Sequence, residues 1–197
     1  MTITNRIAVI TGGNRGLGKS MALRLADRGV DVVRDGFDLV LRIGTLGPSG
    51  LMSRRLGVLT VINCASPAYV RRHGAPASIA DLGTHLLVHY AQTFGHGEPA
   101  FEYRDGVRYS DLPMRSSITV NSADAYRAAA IAGLGIIQVP ALGVRADLEA
   151  GRLVEVLPDA PAEPMPVSLV HPHGRSVPRR VRAVMAWLAE VVTPHLG

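Results

Sequence analysis

An α/β fold follows from three features of this chain. Short apolar runs of strand character alternate with helix-period stretches from Asp31 onward. A glycine-rich segment, Thr11–Gly18, joins the apolar run Ile7-Ala8-Val9-Ile10 to a helix-like stretch. The 197 residues, 47% hydrophobic with 21 Gly and 13 Pro, are enough for one domain, or for two small lobes sharing one core, with many turns. Such alternation predicts largely parallel sheets.

Taken in order, the elements have local causes. Gly12, Gly16 and Gly18 permit a tight strand-to-helix turn, Met21, Ala22, Leu23, Leu25 and Ala26 give the helix an apolar face, and Gly29 ends it. Asp38–Gly44 is an apolar strand closed by glycine, and Leu51–Leu56 leads into a further extended run, Leu59–Ala65. Ser66 can cap, and Pro67 suits the first turn of, a short helix that His73-Gly74 closes. A second short helix spans Pro76–Leu82, entered through Ser78 and ended by Gly83.

Strands follow at Leu86–Tyr90 and Ala100–Arg104, the latter turning at Asp105-Gly106, a hairpin signal. Ser116–Val120 is a strand running into Asn121-Ser122, where Ser122 caps an alanine-rich helix reaching Ala132. Gly133-Leu134-Gly135 breaks that helix, Ile136–Val139 is a buried strand, and Pro140 stops it. A helix over about 142–150, strands at Leu153–Leu157 and Val167–His171, and a final helix from Val177 to Val192 complete the series. The apolar face of that last helix, with Trp187, is expected in the core.

Composition excludes several classes. No run of 18 apolar residues is present, so no membrane span is expected, and the N-terminus lacks the pattern of a signal peptide. The single cysteine, Cys64, allows no internal disulfide and fits a cytoplasmic protein, where it reads as a buried strand residue. The net charge of +5 rests on scattered arginines without interleaved aromatics, so direct nucleic-acid binding is not expected. His171-Pro172-His173 is read as sending its rings to opposite faces of a strand, with no Cys or acidic partner at ligand spacing, so no metal site is expected.

The opening segment matches the TGxxxGxG pattern at Thr11, Gly12, Gly16 and Gly18. Over about residues 1–33 it resembles the first βα unit of the short-chain dehydrogenase/reductase family. That resemblance implies a dinucleotide site on Gly12, Arg15, Gly16 and Gly18, with Arg15 suggesting NADP. The catalytic Tyr-x-x-x-Lys cannot follow, because Lys19 is the only lysine. The loop is therefore read as a structural turn with no cofactor, and NADP binding is the alternative. Asp38 lies where an acid could meet a ribose, but its Gly-Phe-Asp-Leu-Val context fits a second resemblance better.

Gly36–Gly44, Ala65-Ser66-Pro67-Ala68-Tyr69, Ala132–Ile136 with Pro140, and Gly151-Arg152-Leu153-Val154 occur in the order of landmarks of another family. Over about residues 30–195 the chain resembles the effector-binding domain of LysR-type transcriptional regulators. The resemblance implies a periplasmic-binding-protein-like, two-lobed α/β domain with a small-molecule cleft. Here the first lobe reads as atypical and truncated: a lobe I remnant at about 34–60 plus 170–197, and lobe II at about 61–169. The winged helix-turn-helix and linker helix of such regulators do not precede residue 30, so a truncated or fused gene product is expected, with a seam near Val30–Val33.

Ligands of open α/β sheets sit beyond strand carboxyl ends, where helix N-termini present unpaired N–H groups. Three places qualify, at Thr45, at Ser66 and at Asn121-Ser122, and His89, Gly135 and Pro140 are expected as wall residues. Hydroxyl and N–H groups converging there favour a carboxylate or another oxygen-rich metabolite. The resulting expectation is a non-enzymatic effector sensor of a transcription regulator, with no catalytic residues. It is expected to form a homodimer or to pair with intact regulators, without contacting DNA or membrane itself. The alternatives are an NAD(P)-dependent oxidoreductase fragment and an interaction protein that pairs with such regulators.

Overall fold

The computed structural model describes residues 9–10, 38–46, 50–91, 94, 97–174 and 176–197. The helix and glycine loop expected at the front, and the seam near Val30–Val33, lie outside the described residues. The chain forms two compact units, Met1–Leu59 with Met165–Gly197, and Thr60–Pro164.

Unit 1 is built on a four-stranded sheet in the order β1 (Val9–Ile10), β2 (Val40–Ile43), β11 (Met165–His171), β3 (Met52–Leu59). β1 runs parallel to β2, whereas β11 is antiparallel to both β2 and β3. Helix α4 (Arg179–Val192) packs on it through Val181, Met185 and Leu188, spaced at helical period, against Leu39, Leu41, Leu59, Val167 and Leu169. Trp187 does not join them and is 45% exposed. It follows Met185 by two positions, which turns it well away from the apolar stripe.

In unit 2, β4 (Val61–Ala65) is flanked by β10 (Val154–Glu155) and β9 (Ile137–Pro140), antiparallel to both. β5 (Leu87–Tyr90) continues the arrangement beside β9 through a parallel bridge from Leu87 to Ile136, and pairs in parallel with β8 (Ser116–Val120). Strand alternation divides the core into two layers. Cys64, Val88 and Ile137 pack with helices α2 (Ala123–Ile131) and α3 (Ala141–Glu149) through residues such as Ala130 and Val144. Their sequence neighbours Ala65, Leu87 and Ile136 face the other way, onto Tyr69 of α1 (Pro67–His73) and Phe101 of the β6–β7 hairpin (Ala100–Asp105, Arg108–Pro113). Full burial of one such aliphatic or aromatic side chain contributes about 1.5–3 kcal/mol.

The expectation of largely parallel sheets is corrected. Among the described strand pairs only β1–β2 and β5–β8 are parallel, and the other five are antiparallel. The cause is that the chain passes between units at Leu59–Thr60 and Pro164–Met165, so β4 and β11 run back along sheets that crossover helices do not wind. The single extended run read across Leu59–Ala65 is likewise two strands in two units, parted at Thr60. The strand read at Leu153–Leu157 shortens to β10, and the helix read at Pro76–Leu82 is a 3-10 helix at Ile79–Thr84 capped by Ser78.

Candidate functional site

Register decides which of the expected residues meet. β4 is antiparallel to β9, with Val61 opposite Pro140 and Cys64 opposite Ile137, while β9, β5 and β8 run in one direction. Ser66, at the carboxyl end of β4, therefore lies beside the amino ends of β9 and β5. Asn121-Ser122 follow the carboxyl end of β8, at the far side of the same sheet, about 13–17 Å away by strand rise. Convergence of Ser66 with Asn121 and Ser122 is thus corrected. A sequence shows where a strand ends but not which way it runs in the sheet. Thr45 is an exposed residue after β2 in unit 1.

The register puts Pro140 of β9, His89 and Tyr90 of β5, and Asn121-Ser122 after β8 at the same end of neighbouring strands. His89 is half-buried on β5 opposite Thr119, whose hydroxyl lies 3.4 Å from its Nδ1. Tyr90, 40% exposed, packs edge-on against the Tyr126 ring at 5.5 Å. Ser122 is the N-cap of α2, its hydroxyl accepting from the Ala125 amide at 3.5 Å. The first turn of a helix leaves N–H groups without intrahelical partners, and α2 begins three residues after the end of β8. Asp124 in that turn offsets part of the positive dipole end. Pro140 closes β9 and starts α3, and the Ala141 amide donates to the Thr60 carbonyl at 2.9 Å, where the chain enters unit 2.

The other end is structural. Ser66 is 2% exposed and its hydroxyl accepts from the Tyr69 amide at 3.2 Å. The Tyr69 hydroxyl accepts from the Leu86 amide at 2.8 Å and lies 3.1 Å from His85 Nδ1, and burial pushes the Tyr69 phenol up and the His85 ring down. Gly135 sits here as well. A Cβ on it would fall 2.7 Å from the Leu86 carbonyl oxygen and 2.9 Å from the Val88 nitrogen, so its role is to let β5 and β9 approach.

Two buried networks position α2 and went unnoticed in the sequence. Gln138 donates to Asn63 Oδ1 at 2.9 Å and to the Glu102 carbonyl at 2.7 Å, its amide donates to the Tyr126 hydroxyl at 3.0 Å, and Asn63 donates to the carbonyls of Leu157 and Ala160. The signal was a glutamine inside the apolar run Ile136-Ile137-Gln138-Val139. Asp147 of α3 is fully buried and accepts from Arg127 of α2 in a two-pronged pair, and from Arg152 Nε at 2.8 Å. The Arg127 hydrogen bonds hold its carboxyl down at about 2.

Cys64 is fully buried, and burial pushes its thiol up to about 12, as befits a packing residue. The rings of His171 and His173 stack at 6.0 Å instead of parting: β11 ends at His171, and residues two apart in an extended chain share a face. His173 Nε2 lies 3.3 Å from Asp38, which also meets Arg180 at 3.8 Å, so Asp38 is engaged in unit 1 packing. Among the described residues no group of three or more His, Cys, Asp or Glu could hold a metal ion, and no helix is long and apolar enough to cross a membrane. Gly12, Arg15, Gly16 and Gly18 lie outside the described residues.

Residues 20–193 match the LysR substrate binding domain. The chain belongs to that family. As a LysR substrate-binding domain it is 45% identical over 181 residues to the Escherichia coli (strain K12) HTH-type transcriptional regulator YhjC, covering 91% of this chain and 60% of that protein. The HTH-type transcriptional activator AaeR of the same organism is 30% identical, with 81% of this chain and 51% of that protein covered. The chain thus spans little more than half the length of these relatives. The CrgA regulatory domain from Neisseria meningitidis shares its α/β fold at a TM-score of 0.74 and 22% identity, covering 95% of this chain and 98% of that one. The regulatory domain of AphB from Vibrio vulnificus does so at 0.66 and 24%, over 94% and 98%. The family match begins at residue 20, not about residue 30, and the comparisons give the dehydrogenase-like unit no support.

Proposed function

We propose that this LysR substrate-binding domain senses a small oxygen-rich metabolite at the Asn121 end of unit 2, and that the bound state regulates transcription in a protein of the kind its relatives represent. The observation that supports this reading is the register, by which Asn121, Ser122, His89, Tyr90 and Pro140 share one end of neighbouring strands, where the Ala141 amide also meets the Thr60 carbonyl. Asn121 and the helix N–H groups supply donors, Tyr90 supplies an exposed apolar surface on the face of β5 that carries Tyr126, and the His89 ring supplies a donor or acceptor on the opposite face. Because Asp124 weakens the pull on full negative charge, hydroxyl and carbonyl oxygens rank beside a monocarboxylate. Ser66 and Gly135 have structural roles in this reading, and Thr45 belongs to unit 1. The chain performs no catalysis and leaves operator contact to other parts of such regulators.

The test is a thermal-shift and calorimetric screen of hydroxylated and aromatic monocarboxylates, with NADPH as a separate arm. A ligand that raises the melting temperature, and that loses about tenfold or more in affinity in Asn121→Ala, supports the site. Saturable NADPH binding that Gly16→Asp abolishes would overturn it in favour of the dinucleotide alternative. So would a ligand whose affinity ignores Asn121, His89 and Tyr90.

A further inference from the structure

A second concavity lies within unit 2, away from the edge just described. It has a volume of about 460 Å³ and three walls: Pro76–Ile79, Tyr103-Arg104 of β6, and Leu157–Ala160. That volume is in the range of small-molecule pockets.

Each wall is held in place by its own hydrogen bonds. Asp81 accepts from the amides of Ala77 and Ser78, both at 2.9 Å, and fixes the first wall. Arg104 Nε donates to the Gly106 carbonyl at 3.0 Å, which orients the guanidinium along the hairpin turn. Asn63 donates to the Leu157 and Ala160 carbonyls at 3.0 and 2.8 Å, and the Ala160 amide donates back to the Leu157 carbonyl at 3.1 Å. Leu157 itself has φ of 47°, the only positive φ at a described non-glycine residue. A branched side chain there costs about 1–2 kcal/mol, and such strain persists where surrounding bonds impose it. The two donors of a buried asparagine thus fix the Leu157 and Ala160 carbonyls, while the Leu157 side chain packs into the core with Val156 and Ala160.

The charged groups of the pocket, Arg104 and Asp159, are exposed to solvent and of opposite sign. Among the described residues, the terminal nitrogens of Arg104, the Asp159 carboxylate and the Tyr103 hydroxyl make no hydrogen bond or ion pair, and Arg104 and Asp159 do not pair with each other. The remaining surface is the apolar bulk of Pro76, Ile79 and Leu157. One free cation, one free anion and an apolar wall complement a molecule carrying the opposite charges at one end and an apolar body at the other.

We propose that this pocket is a second ligand site, separate from the effector edge, for a zwitterion with an apolar body: an α-amino acid with an aliphatic or aromatic side chain. Its carboxylate meets Arg104, its ammonium meets Asp159, and its side chain lies on Pro76, Ile79 and Leu157. The Tyr103 hydroxyl is available to either charged group.

Amide-resolved NMR titration of the full chain with L-leucine tests this, beside N-acetyl-L-leucine, which lacks the ammonium, and L-leucinamide, which lacks the carboxylate. Leucine is expected to shift the amides of Ile79, Arg104 and Leu157 saturably. Both derivatives should bind about fivefold more weakly or worse, as should leucine to Arg104→Gln and to Asp159→Asn. Both substituted residues are exposed, so unchanged melting temperatures show that the variants remain folded. Equal binding of all three ligands overturns the proposal. So does the absence of saturable shifts at these amides, and shifts confined to Tyr90, Asn121 and Ser122 overturn it while leaving the effector edge intact.

Discussion

Neutralising Asp147 tests how the effector edge is held. This carboxylate is fully buried between α2 and α3 and accepts from both Arg127 and Arg152. Its pKa falls from the ordinary 3.8 to about 2, mainly through the Arg127 hydrogen bonds. At 1.36 kcal/mol per unit, that shift corresponds to about 2 kcal/mol of stability. The group is depressed in the folded state, so this contribution is complete above the unfolded value near 3.8 and is lost as pH falls through about 2. Asp147→Asn removes the charge at every pH and leaves Arg127 facing a neutral amide, a loss of about 3 kcal/mol near neutrality. At pH 2 the protonated wild-type carboxyl resembles the amide. The stability gap between wild type and variant should therefore narrow by about 2 kcal/mol between pH 5 and pH 2. Urea titrations followed by circular dichroism, with exchange of the α2 and α3 amides, measure it. A gap that stays constant over this range would refute the reasoning. Because Ser122 begins the helix that Arg127 anchors, the variant should also weaken any ligand held at the Asn121 edge.

Two further substitutions probe the frame. In Gly135→Ala the new methyl meets backbone atoms of Leu86, Leu87 and Val88 at 2.7–2.9 Å, none of which can rotate aside. The variant should lose about 1–3 kcal/mol or more in chemical denaturation, and an unchanged midpoint would show that β5 and β9 are less tightly apposed. His171 is buried beside His173, with Asp38 and Arg180 beyond it, and its pKa is lowered by burial first and by His173 second. Its contribution is complete above the unfolded value of 6.5 and is lost as pH falls below it. Stability monitored by Trp187 fluorescence should thus decline from pH 7 to pH 5 in wild type and decline less in His171→Gln. Equal slopes would remove His171 as the cause.

What could be read beforehand was local, and what could not was relational. The short helix after Ser66 and the helix after Ser122 were legible because a hydroxyl cap followed by a change of apolar period is a property of a few adjacent residues. β4 and β9 were legible as apolar runs. Their opposed directions were not, because strand polarity is settled by which partner lies alongside. That one unknown reversed the status of Ser66, which caps its helix as expected but at the wrong end of the sheet to meet Asn121.

The same limit explains Gly135 and Trp187. A glycine after a helix reads equally well as a ligand wall and as a close strand approach, and only the distance to Leu86 distinguishes them. A lone tryptophan in an amphipathic helix reads as core by its size, although its position two residues after Met185 already turned it outward. By contrast, Gln138 in its apolar run and Asp147 in its helix carried a warning that composition alone supplies. A polar side chain at a position the period assigns to the core must find partners or destabilise the fold. Following that warning leads from Gln138 to Asn63, and from Asn63 to the strained Leu157. Those partners lie 75 and 94 residues away along the chain, so the glutamine announces that a partner is needed while only the fold supplies which one.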